Sequence, residues 1–514
     1  MSLSRRQFLA RTATVSAGAA LAGLFATSGP AGAFPVDGYG PLVTDPLGLV
    51  DLPAGFTYKV LALTNPVGAT PATQLGLRTP AENLGAVPGS ADGMGSVYEP
   101  ATGRTYLVCN HELSTSGTRV PTTYRGNPVP SYDIPAGSYG GCSTLVLDAD
   151  MNVIEHKPAI TGTIRNCAGG MTPWGTWLTC EEDQSAPNGT TRTKQHGYLF
   201  EVDPRTGLTN GVAYKAMGRA NHEAVAIDPT NSSAYITEDS TGSVLYKFVP
   251  TDTSQQFGSL GNGGTLFGMK VPGIANFAEL TTIGQVISGV TWTPAAAADV
   301  SGLKDTFASA TVTRGTKLEG CWWIGGALWF AQSYSGAISA SASGPAAPAN
   351  DGGVFKYDPV AGTLTTITRI PVGGTTVTLG SGAATQSHII LNPDNIAATP
   401  YGGAIWSQDG GGSQYLVALS PNGSFFPVAR NPAGGEWAGS HFSLDGKWLF
   451  ANQQARGLTV AITGPWTPDV PPVVPEVPMN VLLPLTGAAT IAGVIAWRGR
   501  RIASLDEAGA PTPA

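Results

Sequence analysis

One short pattern recurs along most of this chain: an aromatic or β-branched run, a tight turn with Asp-Pro or Asp-Gly, and a second run. Residues 200–207 (FEVDPRTG) resemble residues 355–362 (FKYDPVAG), and residues 441–450 (HFSLDGKWLF) form a similar unit. Such units must stack to bury their apolar faces, so we predict an all-β fold, a β-propeller, over residues 34–466. A pair of β-sandwiches is the alternative. Three stretches are predicted to be insertions between blades: 113–137, 251–264 and 333–351.

The composition agrees with many short strands and few surface helices. Charged residues make up only 12% of the chain, against the ~25% that is usual, while glycine and proline number 68 and 40. The net charge is −7 and the body of the chain has no Lys/Arg cluster, which argues against nucleic-acid binding. The five cysteines form no CxxC pair, so neither a disulfide framework nor a zinc knuckle is predicted.

The first 33 residues have the features of a twin-arginine export signal, in the expected order. Arg5 and Arg6 precede a weakly apolar stretch, and residues 31–33 (AGA) offer a small-residue cleavage site. We therefore predict that residues 1–33 are a signal peptide recognised by the twin-arginine export machinery. A basic, ordered N-terminal helix is the structural alternative. Because this route carries folded proteins, a metal site can be filled before export.

Three segments of different composition follow the predicted propeller. Residues 467–478 are rich in Pro and Val and are predicted to form an extended linker. Residues 479–501 contain an apolar run just long enough to span a bilayer, ended by a basic cluster. Within it, residues 483–487 (LPLTG) match the pattern that sortases cleave, so a transmembrane anchor and sortase attachment both remain open, with a buried helix as the structural alternative. Residues 502–514 form a tail. Either attachment would tether the exported protein to the membrane or the cell wall.

No nucleophile elbow, P-loop or HExxH pattern is visible, so candidate chemistry rests on acidic side chains at the ends of predicted strands. These side chains recur in pairs. Two are pairs of acids, Glu181-Glu182 and Glu238-Asp239, and two are pairs of a histidine and an acid, His111-Glu112 and His222-Glu223. Adjacent carboxylates repel each other unless a cation lies between them, so their recurrence favours a metal site. The structural interpretation is a solvated acidic surface, with the histidines capping turns.

Three further candidates stand alone in the sequence. Cys167 lies in a glycine-rich segment that brings the backbone close to whatever the thiol faces, although a lone cysteine is commonly a small buried apolar residue. Glu319 and Glu436 precede aromatic strands, where single acids are commonly surface residues. None of these residues is decisive alone.

Taken together, the segments resemble the PhoX-type alkaline phosphatases over nearly all of residues 50–466. The most specific part is the run from Asn166 to Glu182 (NCAGGMTPWGTWLTCEE). Shorter segments follow in the family's order: Asp92–Met94, Asn110–Glu112, Gly140-Gly141, Gly218–Glu223, Thr237–Asp239, Glu319-Gly320, Pro393–Asn395 and Glu436–Gly439. Residues 453–457 (QQARG) depart from the family's more usual Gln-His-Pro-Gly ending.

The resemblance implies a six-bladed propeller that hydrolyses phosphate monoesters at a cluster of two ferric irons and calcium ions. It implies Cys167 as an iron ligand and a set of carboxylates as further metal ligands: Glu112, Glu181, Glu223, Glu238, Asp239, Glu319 and Glu436. His111 and His222 are expected to orient neighbouring carboxylates. Arg165 and Arg219 stand beside candidate ligands and are expected to bind phosphate. Fe3+ would supply a Lewis acid, and Ca2+ prefers oxygen ligands.

Two other functions remain open at this stage. The same propeller could be a metal-dependent hydrolase of phosphodiesters or lactones. It could also be a non-catalytic surface propeller that binds a partner or a wall polymer, which predicts no bound iron and normal folding after Cys167→Ala.

Overall fold

The computed structural model describes residue 35 and residues 38–64, 87–209, 211–334 and 348–466. Within these ranges the chain is almost entirely β-structure, and its helices are short 3-10 turns at Lys215–Met217, Ser259–Asn262, Phe277–Glu279, Leu303–Thr306, Gly382–Ala384 and Gln454–Arg456. The predicted signal, linker, anchor and tail all lie outside the described residues. No helix within the described ranges has the length and apolar character needed to cross a bilayer.

Six antiparallel sheets, numbered here as blades 1 to 6, make up the body of the described chain. From the innermost strand outward, blades 1 to 3 consist of Ala91–Glu99, Arg104–His111, Gly140–Leu147 and Val153–Thr163; then Asn166–Met171, Trp177–Glu181, Leu199–Asp203 and Leu208–Thr209; then His222–Ile227, Ala234–Glu238, Tyr246–Pro250, Gly264–Lys270 and Thr291–Pro294. Blades 4 to 6 consist of Leu318–Ile324, Ala327–Gln332, Gly353–Asp358, Thr363–Arg369 and Val286–Ser288; then Pro393–Ala398, Ala404–Gln408, Gln414–Leu419 and Phe425–Asn431; then Trp437–Phe442, Trp448–Gln453, Leu458–Thr463 and Thr57–Leu63.

The blades form a closed ring. Each innermost strand contacts the innermost strands of the two neighbouring blades, and the innermost strand of blade 6 contacts that of blade 1. The outermost strand of blade 6 comes from the start of the described chain, where Tyr58 pairs with Ile462. This pairing joins the two ends of the ring, a means of removing exposed sheet edges. The six-bladed propeller is confirmed, and the β-sandwich alternative is wrong.

Additional elements leave the ring at a few points. Within the described ranges, four two-stranded sheets pair Leu42–Val43 with Leu52–Pro53, Thr123–Tyr124 with Asn127–Pro128, Thr241–Val244 with Arg314–Thr316, and Thr375–Leu379 with Gln386–Ile390. The predicted insertion at 113–137 contains one of these hairpins. The predicted insertion at 251–264 instead connects the third and fourth strands within blade 3. Of the stretch 333–351, only the ends are described.

The apolar core lies between the blades, because both faces of each blade are covered by its neighbours. Trp177, Trp406 and Trp437 are fully buried in it. Where the innermost strands of neighbouring blades meet, some positions leave no room for a side chain. A Cβ at Gly93 would stand 2.6 Å from Ala168 Cα. Glycine at such positions allows the inner strands to pack directly against one another.

One arrangement repeats in all six blades at the end of the channel where the innermost strands begin. The backbone carbonyl of the residue just before the innermost strand accepts a hydrogen bond from the N–H of the residue just after the second strand. The six carbonyl–N–H pairs are Ser90–Glu112, Arg165–Glu182, Asn221–Asp239, Lys317–Ser333, Asn392–Asp409 and Glu436–Gln454, at 2.9–3.2 Å. A β-bulge follows in each innermost strand.

This repeat defines three equivalent positions in each blade. We call the six carbonyl residues the lead positions and the six N–H residues the rim positions. The inner positions lie two residues after the lead positions and are Asp92, Cys167, Glu223, Glu319, Asp394 and Ala438. Bulges re-aim side chains next to a regular ladder. The six blades therefore present their inner and rim side chains at one end of the channel.

Candidate metal centre

Inner and rim side chains of blades 1 to 5 form one continuous group of metal-binding atoms. Three sets of ligand atoms each lie within 4.8 Å of one another: Asp92, Glu112 and Cys167; Cys167, Glu182 and Glu223; and Glu223, Glu319 and Asp394. Neighbouring sets share a residue, either Cys167 or Glu223. The propeller therefore brings residues from five different blades into a single cluster.

Three more carboxylates belong to the same group. Glu436 Oε1 lies 3.4 Å from Gln454 Nε2, whose amide also contacts Asp92 and Glu112. Asp239 Oδ2 lies 2.8 Å from Lys317 Nζ. Burial raises the pKa of Asp409, and this carboxylate is close enough to Lys317 and Asp239 for their charges to affect its pKa as well. We call these three residues, together with the seven residues of the preceding sets, the acidic cluster.

The charges of the acidic cluster are far from balanced by protein groups. Among the residues that the structure describes, nine carboxylates and one thiol meet two cationic side chains, Arg165 and Lys317. Burial, together with the charge of Asp239, raises the pKa of Glu182 to about 9 and that of Glu319 to about 8. Burial and Glu112 raise the pKa of Asp92 to about 7. Buried carboxylates that lack counter-charges are costly, and bound cations are the usual remedy.

Cys167 is the one thiol of the described chain in these ligand sets. Its Sγ lies 3.7 Å from Asp92 Oδ2, and the side chain is buried. Burial, with Asp92 and Glu223 nearby, raises the pKa of this thiol well above its ordinary value. A bound metal reverses that preference, because a coordinating thiol is deprotonated.

The two cations occupy lead positions in blades 2 and 4. The Arg165 guanidinium donates to Glu112 Oε1 at 2.7 and 2.9 Å and to Glu182 Oε2 at 2.6 Å. Lys317 Nζ lies 2.8 Å from Asp239 and 3.0 Å from Glu319. Both residues have left-handed backbones, with φ of 48° and 50°. A non-glycine residue in this region costs about 1 kcal/mol or more, so the surrounding structure holds them there.

Amide and hydroxyl groups support individual carboxylates. Gln454 Nε2 donates to Asp92 Oδ2 at 2.9 Å and to Glu112 Oε2 at 2.7 Å. Ser333 Oγ donates to Glu319 at 2.5 Å. Below the cluster, Asn110 Nδ2 donates to the backbone carbonyl of Cys167 at 2.8 Å. These contacts fix the orientation of groups that a metal would use.

Comparison with known proteins identifies the family. The family model described as alkaline phosphatase PhoX matches residues 37–157 and 148–457. The chain belongs to the PhoX family of alkaline phosphatases. Membership makes it a metal-dependent phosphatase, in agreement with the acidic cluster. None of the curated proteins compared with the chain is significantly similar in sequence.

Among solved structures, Pseudomonas fluorescens PhoX in complex with vanadate, a transition state analogue, is 17% identical, with a TM-score of 0.58. The match covers 84% of this chain and 98% of the Pseudomonas chain. At this level of identity, the similarity shows that the two chains share a fold. XC5397 from Xanthomonas campestris, a gluconolactonase, has 9% identity and a TM-score of 0.30, covering 79% of this chain and 100% of its own. The Cps50 (Swd1) β-propeller domain from Myceliophteria thermophila has 8% identity and a TM-score of 0.30, covering 79% and 99%.

Five of the predicted ligands, Glu112, Cys167, Glu223, Glu319 and Glu436, lie in the acidic cluster of this PhoX-family chain. Asp239 lies there too, through its contact with Lys317. Arg165 stands at the cluster with 38% of its side chain exposed, where a substrate anion can reach it.

Glu181 and Glu238, also predicted as ligands, point away from the cluster, which corrects the sequence-based assignment. Glu181 accepts from His196 Nδ1 at 2.6 Å and from the backbone N–H groups of Ile164, Gly197 and Tyr198. Glu238 accepts from Tyr246 Oη at 2.6 Å. The reason is the alternation of side chains along a strand. Each glutamate lies one residue before a rim position, so it faces the space between blades.

Arg219 is not at the cluster either. It is buried, and its guanidinium donates to the backbone carbonyls of His196 at 2.9 Å and Gln184 at 2.6 Å. His111 and His222 were expected to orient carboxylates. Their ring nitrogens instead contact Gly89, Ser143 and Gly218, and burial lowers the pKa of both imidazoles to about 4. These three residues support the scaffold.

The structure adds five residues that the sequence analysis left out of its site: Asp92, Glu182, Lys317, Asp394 and Asp409. Each occupies a lead, inner or rim position. A usable sequence feature existed for two of them, because Glu182 and Asp409 follow their strands as Glu112 follows its own. Aligning these strand ends places all three at one level of the ring.

Proposed function

We propose that this chain hydrolyses phosphate monoesters at a mixed centre of Fe3+ and Ca2+ bound by the acidic cluster. The observation that carries the proposal is the excess of carboxylates around Cys167, where the described part of the chain supplies Arg165 and Lys317 as counter-charges. Several multivalent cations would balance this charge, and a phosphoryl group needs cations around its oxygens.

The ligand types suggest how the ions divide the cluster. The sets that include Cys167 combine a thiolate with carboxylates and suit iron, because thiolate is a soft ligand that calcium does not favour. The set of Glu223, Glu319 and Asp394 offers only oxygen and suits Ca2+. When bound, these ions would supply Lewis acidity and a deprotonated oxygen nucleophile at neutral pH.

The chain's own residues would position the substrate. The Arg165 guanidinium can bind a phosphoryl oxygen while it remains paired with Glu112 and Glu182. Lys317 Nζ stands beside Asp239 and Glu319 and provides a second positive group. A monoester keeps three oxygens free for these groups and for the metals, whereas a diester has one fewer charged oxygen to bind. A small-molecule phosphate monoester is therefore the substrate class that we favour.

We also propose that the protein acts outside the cytoplasm. Support comes from the sequence alone: the twin-arginine pattern in residues 1–33 and the apolar, basic-ended segment 479–501. Mass spectrometry of the mature chain tests both segments. Cleavage after residue 33 would support export, and a chain ending at Thr486 would identify sortase attachment rather than a membrane-spanning anchor.

The function itself is tested with purified, metal-loaded protein. Elemental analysis should find iron together with calcium, and p-nitrophenyl phosphate should be hydrolysed much faster than bis-p-nitrophenyl phosphate or lactones. Faster turnover of the diester or a lactone would replace the proposed substrate class. Folded protein without iron and without hydrolytic activity would overturn the proposal and favour a binding propeller.

A further inference from the structure

The six lead positions differ in chemistry around the ring. Blades 2 and 4 carry Arg165 and Lys317 there, and blade 3, which lies between them, carries Asn221. Asn221 is the one lead residue flanked by both cationic lead residues. Its backbone carbonyl accepts from Asp239 N–H at 3.1 Å, which fixes it at the level of the acidic cluster. The side chain is partly exposed.

A chain of hydrogen bonds fixes which way the Asn221 amide points. Gly302 N–H lies 3.0 Å from the Gln184 side chain, and because a backbone N–H can only donate, the Gln184 atom there is Oε1. The other end of this amide is therefore Nε2, which donates to Asn221 at 3.2 Å. Asn221 must accept with Oδ1, and its Nδ2 points elsewhere.

The Asn221 Nδ2 group makes no hydrogen bond to any residue in the described ranges, although the rest of this network is well anchored. Arg219 holds the backbone carbonyl of Gln184 at 2.6 Å, so Gln184 is fixed at both ends. The network thus fixes the amide of a residue whose backbone carbonyl is bonded to Asp239 of the acidic cluster, and it leaves the Nδ2 donor of that amide available. A donor held in this way is suited to an anion that enters between Arg165 and Lys317.

We propose that Asn221 Nδ2 donates a hydrogen bond to a phosphoryl oxygen, which makes it a phosphate-binding residue alongside Arg165 and Lys317. The inference rests on the proposed phosphatase function. Gln184 acts as a positioning residue, because it determines the amide orientation, and Arg219 acts through Gln184. This gives Arg219 an indirect connection to phosphate in place of the direct contact expected from the sequence.

The decisive variant is Asn221→Asp in the full-length, metal-loaded protein. Aspartate keeps the acceptor for Gln184 Nε2 and the side-chain shape, but it replaces the outward donor by a carboxylate oxygen. We expect the dissociation constant of inorganic phosphate, measured by titration calorimetry, to rise at least tenfold. KM for p-nitrophenyl phosphate should rise in parallel, with iron and calcium contents unchanged.

Ser90→Asp controls for charge alone. Ser90 occupies the equivalent lead position two blades away, its backbone is left-handed (φ 45°), and aspartate tolerates that conformation. It adds the same charge at the same level of the ring, and we expect less than a threefold change in phosphate binding. Equal weakening by Ser90→Asp and Asn221→Asp would overturn the direct contact.

Gln184→Glu tests the orientation argument without changing Asn221. A glutamate still accepts from Gly302 but no longer donates, so the Asn221 amide should turn and present Oδ1 to phosphate. We expect weaker phosphate binding, and no further loss when Gln184→Glu is added to Asn221→Ala. Additive losses would overturn the proposed relay. If the wild-type protein neither binds phosphate nor hydrolyses the monoester, the proposed function itself fails. If the wild-type protein does both, but Asn221→Asp weakens phosphate binding no more than Ser90→Asp does, only this inference fails.

Discussion

Glu181 ends one strand and Glu182 follows it directly; both side chains are buried, and their surroundings are opposite. Glu181 accepts four hydrogen bonds, from one imidazole and three backbone N–H groups. Glu182 has Arg165 as its partner and other carboxylates nearby, and burial and Asp239 raise its pKa to about 9. Burial alone therefore does not identify a metal ligand in this fold. A buried carboxylate with too few hydrogen-bond donors does.

The same contrast holds in blade 3. Glu238 accepts from two hydroxyl groups between the blades, whereas Asp239 meets the Lys317 ammonium at the channel. The side facing the space between blades is satisfied by the protein, and the side facing the channel depends on added cations. Substitutions on the two sides should consequently fail in different ways.

The largest effect is expected at the thiol. Cys167→Ala should reduce phosphatase activity by about a thousandfold or more, because it removes the soft ligand of the channel side and with it metal chemistry worth several kcal/mol. Iron content should fall, and calcium should fall less. Cys180→Ala, on the same blade but outside the ligand sets, serves as the control and should retain iron. Equal iron contents in the wild-type and Cys167→Ala proteins would contradict the assignment.

The neighbouring glutamates Glu181 and Glu182 provide the most discriminating pair of variants. Glu182→Gln should lower activity and metal affinity by about a hundredfold. The stability of the metal-free protein should change little, because the raised pKa keeps Glu182 protonated there at neutral pH and glutamine has nearly the same shape as the protonated acid. Glu181→Gln should retain metal but lose about 3 kcal/mol of stability, because an amide leaves buried donors unsatisfied. Activity, metal content and denaturant unfolding, measured for both variants, show which glutamate is the metal ligand. The opposite pattern would show that Glu181 is the ligand.

A smaller effect is expected at the cationic lead position of blade 2. Arg165→Lys should raise KM for a phosphate monoester by about tenfold while changing kcat less, because a point charge replaces a bidentate group. Metal content should remain, which separates this variant from those of the ligands. Steady-state kinetics with p-nitrophenyl phosphate provide the measurement. An unchanged KM would remove Arg165 from substrate binding.

The smallest effect concerns stability against pH in metal-free protein. The pKa values of Asp92, Glu319 and Glu182 are raised to about 7, 8 and 9, so the folded chain keeps protons that the unfolded chain releases near pH 4. This stabilisation is complete below about pH 4 and is lost as the pH rises towards 9. Urea unfolding with chelator at pH 5, 7 and 9 should show a steady decrease. A flat or rising profile would mean that the acids are compensated by protein groups.

Much of the fold followed from local sequence. The Asp-Pro and Asp-Gly hairpins specify strand pairs, and the number of blades came from the family resemblance rather than from the irregular spacing. The site was harder, because an acid pair such as Glu181-Glu182 does not reveal which member faces the channel until the strand's pairing is known. The resemblance implied Glu112, Glu238 and Asp239 alike as metal ligands, and the structure places Glu112 and Asp239, but not Glu238, at rim positions.

Other features depended on contacts across the ring. Lys317 is unremarkable in sequence, and its role arises because blades 3 and 4 bring Asp239 and Glu319 to its ammonium group. Arg219 stands beside a ligand in sequence, yet its guanidinium is directed to the carbonyls of His196 and Gln184. The direction of a side chain at such positions is determined by tertiary packing, which the neighbouring residues in the sequence do not specify.

The most direct test is a crystal structure of the metal-loaded protein with anomalous diffraction recorded on both sides of the iron absorption edge. We predict an iron peak within bonding distance of Cys167 Sγ and of carboxylates on the channel side, with Glu181 and Glu238 uncoordinated. Iron bound to Glu181 or Glu238, or no iron peak at Cys167 in active enzyme, would contradict the account.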